Sequence, residues 1–139
     1  MRGEPLNVGA AIEAASTTEA GGIGVFVGTV RSSAAVPGRS DDAVTELQYD
    51  AHVPLADARL DEIARAAADK WRLHAVTALH RTGTCGLGEP TVVVVCSAAH
   101  RAEALDACRW MIDEIKATVP IFKREVYEDG SAWVGTEDS

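Results

Sequence analysis

Four consecutive valines, Val92 to Val95, set between Thr91 and Cys96, restrict this chain more than any other stretch. Their branched Cβ atoms favour a pleated backbone, and a run that is apolar on both faces reads as a central strand covered on two sides. Soon after it the pattern turns helical. Ala104, Cys108, Met111 or Ile112, and Ile115 recur three or four residues apart, so the spacing predicts a helix from about His100 to Lys116. Pro120 ends it. Beyond the proline, Phe122, Arg124 and Val126 alternate with Ile121, Lys123 and Glu125, the period of a strand. Cationic or potentially cationic residues thus stand where the helix opens (His100, Arg101), where it closes (Lys116) and in the strand that follows (Lys123, Arg124). The free N–H groups and positive dipole end of the helix suit its start to an anion. Cations there oppose the dipole, and a local rule broken without structural gain points to a site.

The remaining elements follow from period and punctuation. Asn7 is placed to cap a short helix to Ala15. Ile23 to Arg31 reads as a strand with Val25, Val27 and Thr29 on one face, and Gly24 and Gly28 imply bulges or close backbone approach. No Walker spacing accompanies these glycines. Ser32 to Ala43 is expected to be a mobile loop, Val44 to Asp50 a strand, and Pro54 to Trp71 a helix carried by Ala56, Leu60, Ile63 and Ala67. His74 to Arg81 reads as a strand and Thr82 to Glu89, with three glycines, as a turn. Asp129-Gly130 signals a hairpin into Ala132-Trp133-Val134, and residues 135–139 are expected to form a tail. Paired strands between helices give an α+β domain with a mixed or antiparallel sheet, not a doubly wound one. No Gly-x-Gly-x-x-Gly opens a helix, so no dinucleotide site is indicated.

At 139 residues the chain fits a single domain, 1–139. A formal net charge of -8 argues against nucleic acid as a partner but leaves room for a small anion in a local basic pocket. No apolar run reaches the ~20 residues of a membrane-spanning helix, and no signal-peptide stretch opens the chain, so a cytoplasmic location is expected. Cys85, Cys96 and Cys108 lack Cys-x-x-Cys spacing and read as reduced thiols, with Cys85 the one expected to be exposed. His52 and His74 offer no metal-ligand spacing, and no metal is proposed.

Each candidate cation has a plain structural reading. Lys116 can simply complement a helix dipole, and Lys123 can be the solvent-facing residue of a strand that buries Phe122 and Val126. The functional reading puts both lysines in one pocket, where repulsion and burial would make one a usable acid or base. His80 and Arg81 read as strand residues, the histidine stacked or hydrogen-bonded.

Several blocks together resemble a known family. They are Val25-Phe26-Val27-Gly28-Thr29-Val30-Arg31, Leu47-Gln48-Tyr49-Asp50-Ala51, His80-Arg81-Thr82-Gly83, Ser97-Ala98-Ala99-His100-Arg101, Asp113-Glu114-Ile115-Lys116, Val119-Pro120-Ile121-Phe122-Lys123-Arg124-Glu125, and Asp129-Gly130 before Trp133-Val134. In this order they resemble the large, catalytic subunit of molybdopterin synthase. The resemblance implies an α+β fold related to the hammerhead type and a homodimer that binds a small ubiquitin-like sulfur carrier at each end, making a heterotetramer. The carrier's C-terminal Gly-Gly thiocarboxylate enters a pocket and gives two sulfurs in turn to cyclic pyranopterin monophosphate, forming the molybdopterin dithiolene of molybdenum cofactor biosynthesis. The sulfur is the partner's, and no cofactor is implied. The family's catalytic lysines fall on Lys116 and Lys123, and its substrate-binding positions on Thr29, Val30, Arg31, His100, Arg101, Arg124 and Glu125. These cations are expected to share one pocket, and the resemblance allows His100 and Arg101 to come from the second subunit.

Some positions depart from the family pattern: His52 replaces a tyrosine, Asp50 a glutamate and Phe122 a tryptophan. A non-catalytic adaptor docking a ubiquitin-like protein is the alternative, and an unrelated phosphate-ester-binding enzyme a third. Lys116, Lys123, Arg31 and His100-Arg101 together favour the enzyme, because docking alone requires none of them.

Overall fold

Successive valines of the central strand face opposite ways, and the two faces are covered by different layers. In the computed structural model Val92, Val94 and Cys96 join the main core with Leu60, Ile63, Met111 and Ile115, whereas Val93 and Val95 pack with Leu6, Ala11 and Ala15. Burying each such valine contributes roughly 1.5–3 kcal/mol, so the run holds both layers to one strand. Residues 1–33, 43–128 and 130–136 are described, the segment 131–136 by its backbone alone. The elements are α1 (Val8–Ala15), β1 (Gly22–Thr29), β2 (Val44–Ala51), α2 (Val53–Trp71), β3 (Ala75–His80), β4 (Gly83–Gly86), β5 (Pro90–Ala98), α3 (Arg101–Thr118), β6 (Ile121–Tyr127) and β7 (Gly130–Thr136). They form two antiparallel sheets, β1-β5-β3 and β4-β2-β6-β7, an α+β fold as expected.

Local chemistry sets the helix ends. Asn7 Oδ1 accepts from the Ala10 N–H at 2.9 Å. His52, the departure noted above, caps α2: its Nδ1 accepts from the Leu55 N–H at 3.4 Å, with Pro54 in the first turn. At the other end Arg72 takes the left-handed conformation, φ 52°, that closes the helix. α3 has His100 as its N-cap without a side-chain cap bond, and it stops at Thr118, just before Val119-Pro120.

Three expectations need correction. Thr82 to Glu89 is more than a turn, because β4 lies inside it and pairs with β2 through Leu47↔Cys85 and Gln48↔Thr84. Gly83 and Gly88, with positive φ, turn the chain on either side of this strand, and their number hid it. That pairing also buries Cys85 completely, so it is not the exposed thiol. On β6 the faces are reversed: Ile121, Lys123, Glu125 and Tyr127 point inward while Phe122 is 44% exposed. Alternation gives the period of a strand but not which face meets the core, and here two charged residues go in.

Gly24 and Gly28 do permit close approach. A Cβ on Gly24 would stand 2.6 Å from the Ala104 carbonyl oxygen, and one on Gly28 would stand 2.7 Å from Val92 Cγ1. α3 therefore lies directly on β1. The expected loop is described only at its edges, since residues 34–42 lie outside the described set, as do Asp129 and residues 137–139 of the expected tail. Positions 135 and 136 belong to β7. Among the described residues no helix is long and apolar enough to cross a membrane.

Candidate functional site

β1 ends opposite a bulge in β5, the last turn of α3 carries Lys116 and β6 begins just after Pro120, and these three ends meet around one cavity. It has a volume of about 260 Å³ and is lined by Phe26, Val27, Gly28, Thr29, Arg31, Leu47, Tyr49, Thr91, Val92, Lys116, Lys123 and Glu125. Three cations and one carboxylate in so small a space give it a local positive charge against a net charge of -8 for the chain. Lys123 is only 4% exposed and Glu125 3%. Buried ions persist only when paired or hydrogen-bonded. Glu125 Oε1 accepts from the Tyr127 hydroxyl at 2.7 Å. Tyr49 faces Lys123 across the β2–β6 pairing and meets the His80 ring edge-on, 5.0 Å between centroids. His80 is fully buried, and its Nδ1–H donates to the Arg81 carbonyl at 2.8 Å, so of the stacked or hydrogen-bonded histidine expected it is the hydrogen-bonded one. Arg81 itself is structural: its guanidinium donates to Glu89, to the Gly3 carbonyl at 3.3 Å and to the Thr84 carbonyl at 3.2 Å.

Of the expected site residues, Thr29, Arg31, Lys116, Lys123 and Glu125 line the cavity. Val30 does not: it is buried in the core, its N–H donating to the Glu89 carbonyl at 3.2 Å. Arg124 lies on the other face of β6 and donates to Gln48 Oε1. His100 and Arg101 are exposed at the far end of α3, fifteen residues from Lys116, or about 22 Å at 1.5 Å per residue. Within one chain the expected five-cation pocket is thus a three-cation pocket. Sequence reasoning gave no site role to Tyr49 or Thr91. The inward alternation of Leu47 and Tyr49 on β2 was the available signal for the first. Nothing in the sequence marked the second.

A second, more open groove of about 510 Å³ adjoins the first and shares Phe26 and Lys116 with it. Val25, Leu105, Cys108 and Ile112 make it largely apolar, with Arg109 and Asp113 at its border.

The three thiols are shifted in different directions: the hydrogen bond with Cys96 holds the Cys108 thiol below its ordinary range against the opposing effect of burial, whereas the other two are raised. Burial pushes the Cys85 thiol up to about 11, opposed by Arg81 and reinforced by Glu89. A hydrogen bond shared with Cys108, together with burial, holds the Cys96 thiol well above its ordinary range. None of the three cysteines lines the cationic cavity, so a sulfur reaction there would need sulfur brought from outside.

Comparison with known proteins gives this geometry its context. The model of the family described as MoaE protein matches residues 1–118. The chain is 40% identical over 131 residues to the molybdopterin synthase catalytic subunit of Arabidopsis thaliana, covering 94% of this chain and 64% of that protein. It is 41% identical over 132 residues to molybdopterin synthase catalytic subunit 1 of Mycobacterium tuberculosis, covering 95% of this chain and 86% of that one. The crystal structure of molybdopterin synthase from Staphylococcus aureus superposes with a TM-score of 0.86 at 32% identity, over 96% of this chain and 93% of the other. The chain thus spans less than two thirds of the plant relative's length. It belongs to the MoaE protein family.

Proposed function

We propose that this chain is the catalytic subunit of a molybdopterin synthase, a sulfurtransferase that converts cyclic pyranopterin monophosphate to molybdopterin with sulfur from a small ubiquitin-like carrier. The observation that carries this reading is the junction of two cavities at Lys116. One is small and cationic, with Arg31 and Lys123. The other is open and largely apolar. The first suits a phosphate-bearing pterin, since a guanidinium binds phosphate through paired, charge-assisted hydrogen bonds. The second suits an extended Gly-Gly tail, whose terminal thiocarboxylate then reaches Lys116.

In this reading the carrier's thiocarboxylate sulfur forms a bond to a pterin carbon as a carbon–oxygen bond at that carbon breaks, the oxygen leaving as water or as the freed oxygen of the opened cyclic phosphate. Water then cleaves the acyl–sulfur bond, the sulfur stays on the pterin, and the carrier leaves as a carboxylate. Lys116 stabilises negative charge at the carrier's terminal carbonyl, and Lys123 serves the pterin intermediate by charge and proton transfer. Thr29, Arg31 and Glu125 hold the substrate, and Val30 and Arg124 support its binding through the strands that carry them. His100 and Arg101 complete the site from the second subunit of a homodimer, the core of a heterotetramer working in the cytoplasm.

The test is molybdopterin formation from purified chain, thiocarboxylated carrier and cyclic pyranopterin monophosphate. Product made in proportion to carrier supports the proposal. Carrier binding without product leaves the adaptor. Pterin binding without dependence on carrier leaves a phosphate-ester enzyme.

A further inference from the structure

The pairing of β1 with β5 is regular from Gly22↔Ala98 to Gly28↔Val92, then shifts, so that Thr29 stands opposite Pro90 and Thr91 is the extra residue. Such a bulge bends a strand and re-aims the side chains beyond it. This one lies in β5, and opposite it the end of β1 leads through Thr29 to Arg31, both lining the cationic cavity. Thr91 is 3% exposed and lines the same cavity. Its hydroxyl donates to the Gly28 carbonyl at 3.3 Å, while its own carbonyl accepts from the Arg81 N–H at 2.9 Å. A Cβ on Gly28 would stand 3.5 Å from the Thr91 hydroxyl and 2.7 Å from Val92 Cγ1, so the strands are in close contact at this point. Past Thr29 the chain is held again: Val30 donates to the Glu89 carbonyl at 3.2 Å, and its own carbonyl accepts from the Gly88 N–H at 2.9 Å.

We propose that Thr91 is a positioning residue for the anion-binding end of β1. Its hydroxyl, on the bulged residue of β5, ties the Gly28 carbonyl of β1 and so fixes the direction in which Thr29 and Arg31 enter the cavity. Thr91 acts through these two residues, not on the substrate. The proposal rests on the sulfurtransferase reading only for the identity of the substrate.

Two variants separate the hydroxyl from the packing. Thr91→Val keeps the shape and removes the donor, and Thr91→Ser keeps the donor. Thr91→Val should raise KM for cyclic pyranopterin monophosphate about tenfold, which is ~1.4 kcal/mol. Its kcat should stay within about twofold, and Thr91→Ser should restore KM. The amide resonances of Thr29 and Arg31 should move in Thr91→Val and return in Thr91→Ser, a readout that needs no activity. Should the valine variant not fold, Thr91→Ala against Thr91→Ser asks the same question. Unmoved Thr29 and Arg31 resonances, or equal impairment in the serine variant, would overturn the positioning role even if the wild-type chain makes molybdopterin. An inactive wild type with the expected resonance pattern would instead remove the sulfurtransferase reading and keep Thr91 as the residue that aims this strand end.

Discussion

Lys116 and Lys123 are close in sequence yet reach the cavity from different elements, and their substitutions should differ accordingly. Lys116 is half-buried on α3, so Lys116→Ala should leave the fold and carrier binding intact. Turnover should fall by ~10²–10⁴-fold, the usual scale for acid–base work. Near-normal molybdopterin formation by that variant would remove Lys116 from the reaction. Arg101→Ala should weaken pterin binding by roughly 10- to 150-fold if a single arginine–phosphate contact contributes ~1.5–3 kcal/mol. That result requires the second subunit, because α3 holds Arg101 away from Lys116 of its own chain. Unaltered pterin affinity in a dimeric variant would count against His100 and Arg101 as site residues. Cys85 gives a stability prediction. Its folded value of about 11 lies above the ordinary 9.0, so the folded state keeps its proton while the unfolded thiol has begun to ionise. The contribution is complete below pH 9.0 and is lost as pH rises toward about 11. The urea midpoint of the wild type should therefore drop more steeply across that window than that of Cys85→Ala, and parallel pH profiles would refute the assignment.

At the scale of elements, the sequence announces what is periodic and conceals what depends on partners. α2 was legible from Ala56, Leu60, Ile63 and Ala67, all buried as their spacing required. β5 was legible from its valines. β4 was not, because four residues bounded by glycines carry too little pattern, and only the pairing with Leu47 and Gln48 makes them a strand. The inward face of β6 was concealed for a related reason. Phe122 is the more apolar neighbour of Lys123, and the cavity that receives the lysine is assembled by β1, β2 and α3. That Lys116 and Lys123 share a cavity was expected through the family resemblance, whereas composition and spacing alone favoured their plain structural readings. The contact of β1 with α3 is testable in the same terms. Gly24→Ala would drive a methyl group to 2.6 Å from the Ala104 carbonyl oxygen, and the obstacle is helix backbone, which cannot swing aside as a flexible side chain would. Overpacking of this kind costs ~1–3 kcal/mol, so the melting temperature should fall by several degrees. An unchanged melting temperature would mean that α3 can slide on β1.

For the whole molecule, the proposed reaction needs two copies of the chain, and sedimentation at micromolar concentration should give the mass of a dimer. A mass of one chain, 14.6 kDa, would leave His100 and Arg101 without a cavity to complete. The central strand also carries a consequence in time. Among the described residues β1 pairs with β5 alone, and its first residue, Gly22, finds its partner at Ala98, 76 residues later. During synthesis at ~5–20 residues per second, β1 and α1 wait roughly 4–15 seconds for the strand that covers them. In that interval Ile23, Val25 and Phe26 lie on an unpaired edge, open to chaperones or to the same segment of a neighbouring nascent chain. The four valines that join the layers are thus also the event for which the first third of the chain must wait, and a ribosome stalled before Val92 would hold a chain with neither layer closed.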